Sequence, residues 1–280
     1  MLRRILHIRQ ISLHLQHVMK KSLLYFALFA ALHVGTALLF FSCLALYAWA
    51  AGIDSDVLLD APWVEDAGLS LAFAVSFLVF IRLRIVRHML TMRTAGMVKS
   101  CVLAALAALC IILIESPLTN ALGLEEAVTE SDPFASGSVL ILFTGCLLGP
   151  FVEEMVFRGA MTGSMVDKRC NIIIVLTVPS LFFAAIHLIP ELTPFYFAYG
   201  ILAGWLAVRT GCLWPSIVFH ATNNTVCAIQ DSALPDIETL GETTATAVQW
   251  VLAAVAAIGL TLCIMALNRG TKTRKSVSYK

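Results

Sequence analysis

The chain has 280 residues, 59% of them apolar and only 13% charged, with 19 Lys and Arg against 18 Asp and Glu for a net charge of +1; its mean hydropathy is +0.87. A soluble domain is about half apolar and about a quarter charged, and one core of this length cannot withdraw so much apolar surface from water. This composition excludes a soluble single domain, a disordered chain, a collagen and a small disulfide scaffold, and the near-neutral charge points to no nucleic-acid partner; it leaves a polytopic membrane protein.

In chain order, residues 1–21 form a basic leader. Arg3, Arg4, Arg9, Lys20 and Lys21 are interleaved with Ile5, Leu6, Leu13 and Leu15. Such a segment can lie on the inner leaflet or remain a partly ordered basic tail. Apolar runs of about 20 residues can cross the hydrocarbon as helices. Eight are expected, over Ser22–Ala51, Gly68–Ile85, Val98–Ile114, Val139–Val166, Ile172–Ile189, Phe195–Val208, Leu213–Ile229 and Thr244–Leu267. Ala48-Trp49-Ala50 resembles a signal-peptide cleavage box, but the first run is about twice the length of a signal h-region and reads as an uncleaved anchor. No β-barrel alternation is present, so the expected class is an all-α transmembrane bundle. The organisation divides into the leader (1–21), three spans with an outer loop (22–136), a four-span polar core (137–230), and an outer loop with a last span and basic tail (231–280).

Charge sets the orientation. Of the 19 Lys and Arg, all but Arg158 fall in the two tails or in the second, fourth and sixth connections with their flanking helix ends. Of the 18 Asp and Glu, 15 fall in the opposite connections. The positive-inside rule then predicts that both termini are cytoplasmic, which an even number of spans satisfies. The eight cysteines fall mostly within spans, as small hydrophobes do. There is no CxxC, so a cysteine metal site is not expected, and the C-terminus carries no lipidation box.

Three polar motifs interrupt the apolar runs. A charge at a span centre costs roughly 2.5–3.5 kcal/mol on insertion scales, yet the fourth run contains Gly149-Pro150-Phe151-Val152-Glu153-Glu154-Met155-Val156-Phe157-Arg158-Gly159. Pro150 should break or kink the helix and suits the first turn of a new one, with both acids near the positive end of its dipole. Glu154 and Arg158 are four apart with the acid first, the favoured pairing direction; Glu153 is turned about 100° away. One glutamate is thus expected to be neutralised and the other available. The fifth run carries Phe183-Ala184-Ala185-Ile186-His187, and the seventh carries His220-Ala221-Thr222-Asn223-Asn224. Phe183 with His187, and His220 with Asn224, share helix faces. Each motif alone is compatible with plain structural pairing or packing between helices; together, on separate spans, they can converge on one buried cavity. Glu153 and His187 should lie about 25 Å from their hairpin turn and His220 only about 13 Å from its own, so the hairpin of spans four and five must extend about 12 Å further towards the cytoplasm or the helices must tilt.

A carboxylate beside a histidine can hold and deprotonate a water, and a histidine–asparagine pair can donate to an oxygen on which charge develops. These parts suit hydrolysis of a peptide bond without a serine or cysteine nucleophile. In their order and spacing, EExxxR at Glu153–Arg158, FxxxH at Phe183–His187 and HxxxN at His220–Asn224 resemble the CPBP family, which contains the CAAX prenyl endopeptidases and the bacterial Abi-type intramembrane proteases. Gly159 and the run Arg209-Thr210-Gly211-Cys212-Leu213-Trp214-Pro215 also resemble that family. The resemblance implies that Glu153 activates water with help from His187, that His220 and Asn224 stabilise the oxyanion, and that Glu154, Arg158 and Phe183 orient them. It implies a membrane protein or peptide substrate and an integral, multi-pass protein of a bacterial cell membrane, and leaves the oligomeric state open. Glu153, His187 and His220 could instead ligate zinc with a water in the fourth position; lacking HExxH, the sequence favours metal-independent hydrolysis. The other classes are a catalytically inactive scaffold or sensor, and a transporter using Glu153 and His187 as a proton relay, although no repeated halves support the latter.

Overall fold

In the computed structural model, residues 2–83, 96–130, 134, 137–233 and 242–270 are described, and all regular structure among them is helical. The helices are α1 (Leu2–Ala51), α2 (Ser55–Leu59), α3 (Pro62–Arg82), α4 (Met97–Ala121), α5 (Glu125–Glu130), α6 (Val139–Asp167), α7 (Ile172–Ala185), α8 (Thr193–Thr210), α9 (Trp214–Ala233) and α10 (Glu242–Gly270). α1, α3, α4, α6 and α10 are long and apolar enough to cross a bilayer. The three remaining predicted spans coincide with α7, α8 and α9. α7 is short, with 14 residues, and α9 carries the polar His220–Asn224 motif. Among the described residues, five helices are thus by themselves long and apolar enough to cross, and the other three predicted spans fall on shorter or more polar helices. The basic leader is helical from Leu2 and continuous with the first span, while the last residues of the basic tail and most of the final outer loop lie outside the described residues.

The helices contribute unequally to the interior. Half of the apolar window of α6 is buried, against 11% for α1 and 22% for α10, so α6 is the central rod. α1 packs on α3 and on the second half of α6, α7 packs on α8, and α4 packs on α9 and α10. Without a hydrophobic force between helices in lipid, close approach depends on small residues. The α4–α10 seam follows this rule: Ala104, Ala107 and Ala108 of α4 and Ala253 and Ala256 of α10 are buried, and a Cβ at Gly259 would come within 3.1 Å of Cys110 Sγ. All eight cysteines are free thiols. On the outside, Trp49, Val98, Val139 and Leu188 are among many large exposed hydrophobes, the surface a chain presents to acyl chains rather than to water.

Pro150, expected to break or kink the helix, distorts α6 without breaking it. The rod runs without interruption from Val139 to Asp167, but Thr144–Leu148 and Met155–Thr162 are π-helical. Proline removes a backbone donor and crowds the preceding turn; a π turn widens that turn and absorbs the mismatch. The Gly149 N–H accordingly reaches back five residues to Thr144 O, and α-helical register resumes over Gly149–Glu154 with Pro150 in its first turn. Since no free N-terminus exists there, a helix dipole does not neutralise the two acids; side chains must.

Candidate active site

The site is built on α6, α7, α8 and α9. Arg158 and Glu154 are fully buried. Arg158 Nη1 donates to Glu154 Oε1 at 2.8 Å, and Nη2 donates to Gly200 O on α8 at 3.2 Å. The guanidinium also lies over the Phe183 ring, 4.4 Å from its centroid. Gly200 is required for the arrangement: a Cβ there would stand 2.9 Å from Ser180 Cβ on α7, so only glycine lets α8 approach α7 and present its carbonyl to Arg158.

His220, 4% exposed on α9, stands between the two glutamates. Its Nδ1 is 3.0 Å from Glu154 Oε1, and its Nε2 is 3.9 Å from Glu153 Oε2. A carboxylate paired with arginine is an acceptor, so Nδ1 is assigned the proton and Nε2 is the nitrogen turned to Glu153. The side chain of Glu153 keeps 13% exposure where that of Glu154 has none; the second glutamate is enclosed and the first remains accessible.

Asn224, one turn beyond His220, donates from Nδ2 to Gly145 O at 2.8 Å. Gly145 belongs to the first π stretch, so the amide ties α9 to the widened turn ahead of Pro150. A Cβ at Gly145 would lie 2.4 Å from Phe134 Cε1.

His187 lies two residues beyond Ala185, the last residue of α7. Its Nδ1 bonds Phe183 O at 2.8 Å, which leaves Nε2 unengaged, and its ring stacks on Tyr196 with centroids 3.9 Å apart. The next residue, Leu188, has φ 56° and is 86% exposed. A left-handed conformation at a non-glycine residue is strained, and here it turns the chain directly after the histidine. His187 forms no ion pair with Glu153 within 4.0 Å. Phe183 connects the groups: its ring contacts Phe157, His187, His220 and Tyr199.

The zinc alternative requires Glu153, His187 and His220 to converge as ligands. Among the described residues no three His, Cys, Asp or Glu side chains are grouped to hold a metal ion.

Sequence reasoning missed three contributors: the Gly145 and Gly200 carbonyls, the contact of His220 with Glu154, and the aromatic residues Tyr196 and Tyr199 of α8. The one available signal was the spacing of Tyr196, Tyr199 and Gly200, which places them on one helix face.

Residues 135–226 match the Rce1-like family, described as type II CAAX prenyl endopeptidase Rce1-like. The matched segment contains all three polar motifs; α1, α3, α4 and α10 lie outside it. No curated protein and no solved structure is significantly similar to the chain. The matched family is a protease family, and with five membrane-competent helices it supports an integral membrane peptidase.

Proposed function

We propose that the protein is an intramembrane endopeptidase that hydrolyses peptide bonds of membrane-associated or lipidated proteins and peptides. The observation that carries this reading is the position of His220, 3.0 Å from Glu154 and 3.9 Å from an accessible Glu153. Glu153 acts as general base: it takes a proton from a water, the hydroxide adds to the peptide carbonyl carbon, and the carbonyl oxygen becomes negative. His187, with Nε2 unengaged, helps to hold the water. The oxyanion is met by His220, which serves in its doubly protonated form, with Nδ1–H on Glu154 and Nε2–H towards the developing charge. The second amide hydrogen of Asn224 adds to it. Glu153 then passes its proton to the amide nitrogen as the C–N bond breaks. With His220 charged, two carboxylates face two cations, so the buried cluster is electroneutral, as a low-dielectric site requires. Glu154, Arg158 and Phe183 orient these groups.

In the finer topology of this proposal α7, α8 and α9 complete eight spans, both termini face the cytoplasm, and the protein resides in a bacterial cell membrane. Hydrolysis needs no metal.

The test is cleavage of an internally quenched farnesylated CAAX peptide, and of its unprenylated counterpart, by purified protein in proteoliposomes. Glu153→Ala should lower turnover by about 10³-fold with melting temperature and helicity retained. Turnover undiminished in Glu153→Ala would overturn the assignment. Unchanged rates in chelator, with no zinc by elemental analysis, are the expected result on the metal question.

A further inference from the structure

Tyr199 of α8 is 8% exposed, and its hydroxyl oxygen is buried with no hydrogen-bond partner. Its ring is fixed on three sides. It stacks on Phe219 with centroids 4.5 Å apart, lies parallel to Phe183 at 6.1 Å, and meets the His220 ring edge-on at 5.5 Å. The titratable groups whose fields reach it are Glu154, Arg158, Cys227 and Glu153. A buried hydroxyl without a partner is costly, and a phenol buried in a membrane-type interior could be replaced by phenylalanine with the same packing. Beside the second amide hydrogen of Asn224, the Tyr199 hydroxyl is an uncommitted neutral donor next to the His220 ring. One amide hydrogen of Asn224 is already spent on Gly145 O, and His220 donates from Nε2 only when charged. A phenol O–H donates without any change of protonation.

We infer that the Tyr199 hydroxyl is a further catalytic donor of this site, which hydrogen-bonds the substrate carbonyl oxygen as that oxygen gains charge. The inference rests on the peptidase reading above. The hydroxyl keeps its proton throughout; it adds a third donor beside His220 and Asn224, and its aromatic clamp holds it in place before substrate arrives.

The experiment is steady-state cleavage of the farnesylated peptide by wild type, Tyr199→Phe and Glu153→Ala in proteoliposomes, with thermal melts of each. Phenylalanine keeps every ring contact. The expected result for Tyr199→Phe is a fall in kcat of about 100-fold, typical of losing one oxyanion donor. KM should stay within about threefold, and the melting temperature should be unchanged or higher, since an unpartnered buried hydroxyl is removed. A kcat within about twofold of wild type would overturn the inference. So would a lowered melting temperature or loss of fold, which would reveal a structural partner for the hydroxyl. If Glu153→Ala is inactive while Tyr199→Phe keeps full kcat, only the tyrosine assignment fails; if Glu153→Ala cleaves as well as wild type, the peptidase reading fails and takes this inference with it.

Discussion

The helices around Glu153 and the helices that flank them are built on different rules. α4 and α10 meet through alanines, a glycine and cysteine, with few polar atoms, and much of their surface faces outward. α6 and α9 meet through Arg158, Glu154, His220 and Asn224, all hydrogen-bonded at their contacts. The flanking seam can slide or substitute with modest loss, because each contact is a small dispersion gain. The polar seam cannot, because removal of any one member strands another in a medium without water. The family match covers the polar seam and omits most of the flanking helices, so the part with the strict geometry is also the part with a recognisable pattern.

The contrast can be broken most forcefully at Arg158. Arg158→Met should destabilise the protein by about 3–5 kcal/mol by leaving Glu154 buried and unpaired, read as loss of the folded peak in size-exclusion chromatography and a lower melting temperature. The double variant Glu154→Met/Arg158→Met should recover much of that stability yet stay inactive, because His220 loses the group that fixes its ring. Recovery of activity in the double variant would show that the pair does not orient the histidine. Gly200→Ala comes next: it forces α8 from Ser180 and from the Arg158 bond, costing about 1–3 kcal/mol with activity reduced by more than stability alone explains, measured by melts and initial rates on one preparation. Leu188→Gly should raise stability by up to about 1 kcal/mol through relief of its left-handed backbone, while freeing His187 and lowering kcat severalfold. The smallest effect belongs to the flanking region. Val98→Ala, on the outward face of α4, should change stability by less than about 0.5 kcal/mol and leave cleavage rates unchanged; a large loss there would remove the distinction between the two regions.

The distribution of these effects follows what the linear pattern could carry. Helix positions and the grouping of EExxxR, FxxxH and HxxxN were legible because span length and the cost of charge in lipid are local properties. So was the difference between Glu153 and Glu154, because a four-residue offset fixes which acid meets Arg158. The contact of His220 with Glu154 was not, since it depends on how far one hairpin is shifted against another. How α6 passes Pro150 was open for a related reason: a proline signals a break or a kink, and a widened turn is a form that only the surrounding packing selects. Apolar run length gives eight spans, of which five are by themselves long and apolar enough to cross; α7, α8 and α9 combine shortness or polarity with burial against α6.

The widened turns of α6 each hold a residue more than an ordinary turn. Deleting one residue within Thr144–Leu148 would let the N–H that now reaches Thr144 O from five residues on reach it from four, so the downstream half would keep its orientation. Deleting Phe151, in α-helical register, would instead swivel both acids and the arginine by about 100° relative to the half anchored by Ser138 and Ser70. Homologous chains aligned through this region should therefore place their gaps in the widened turns and not between Pro150 and Glu153.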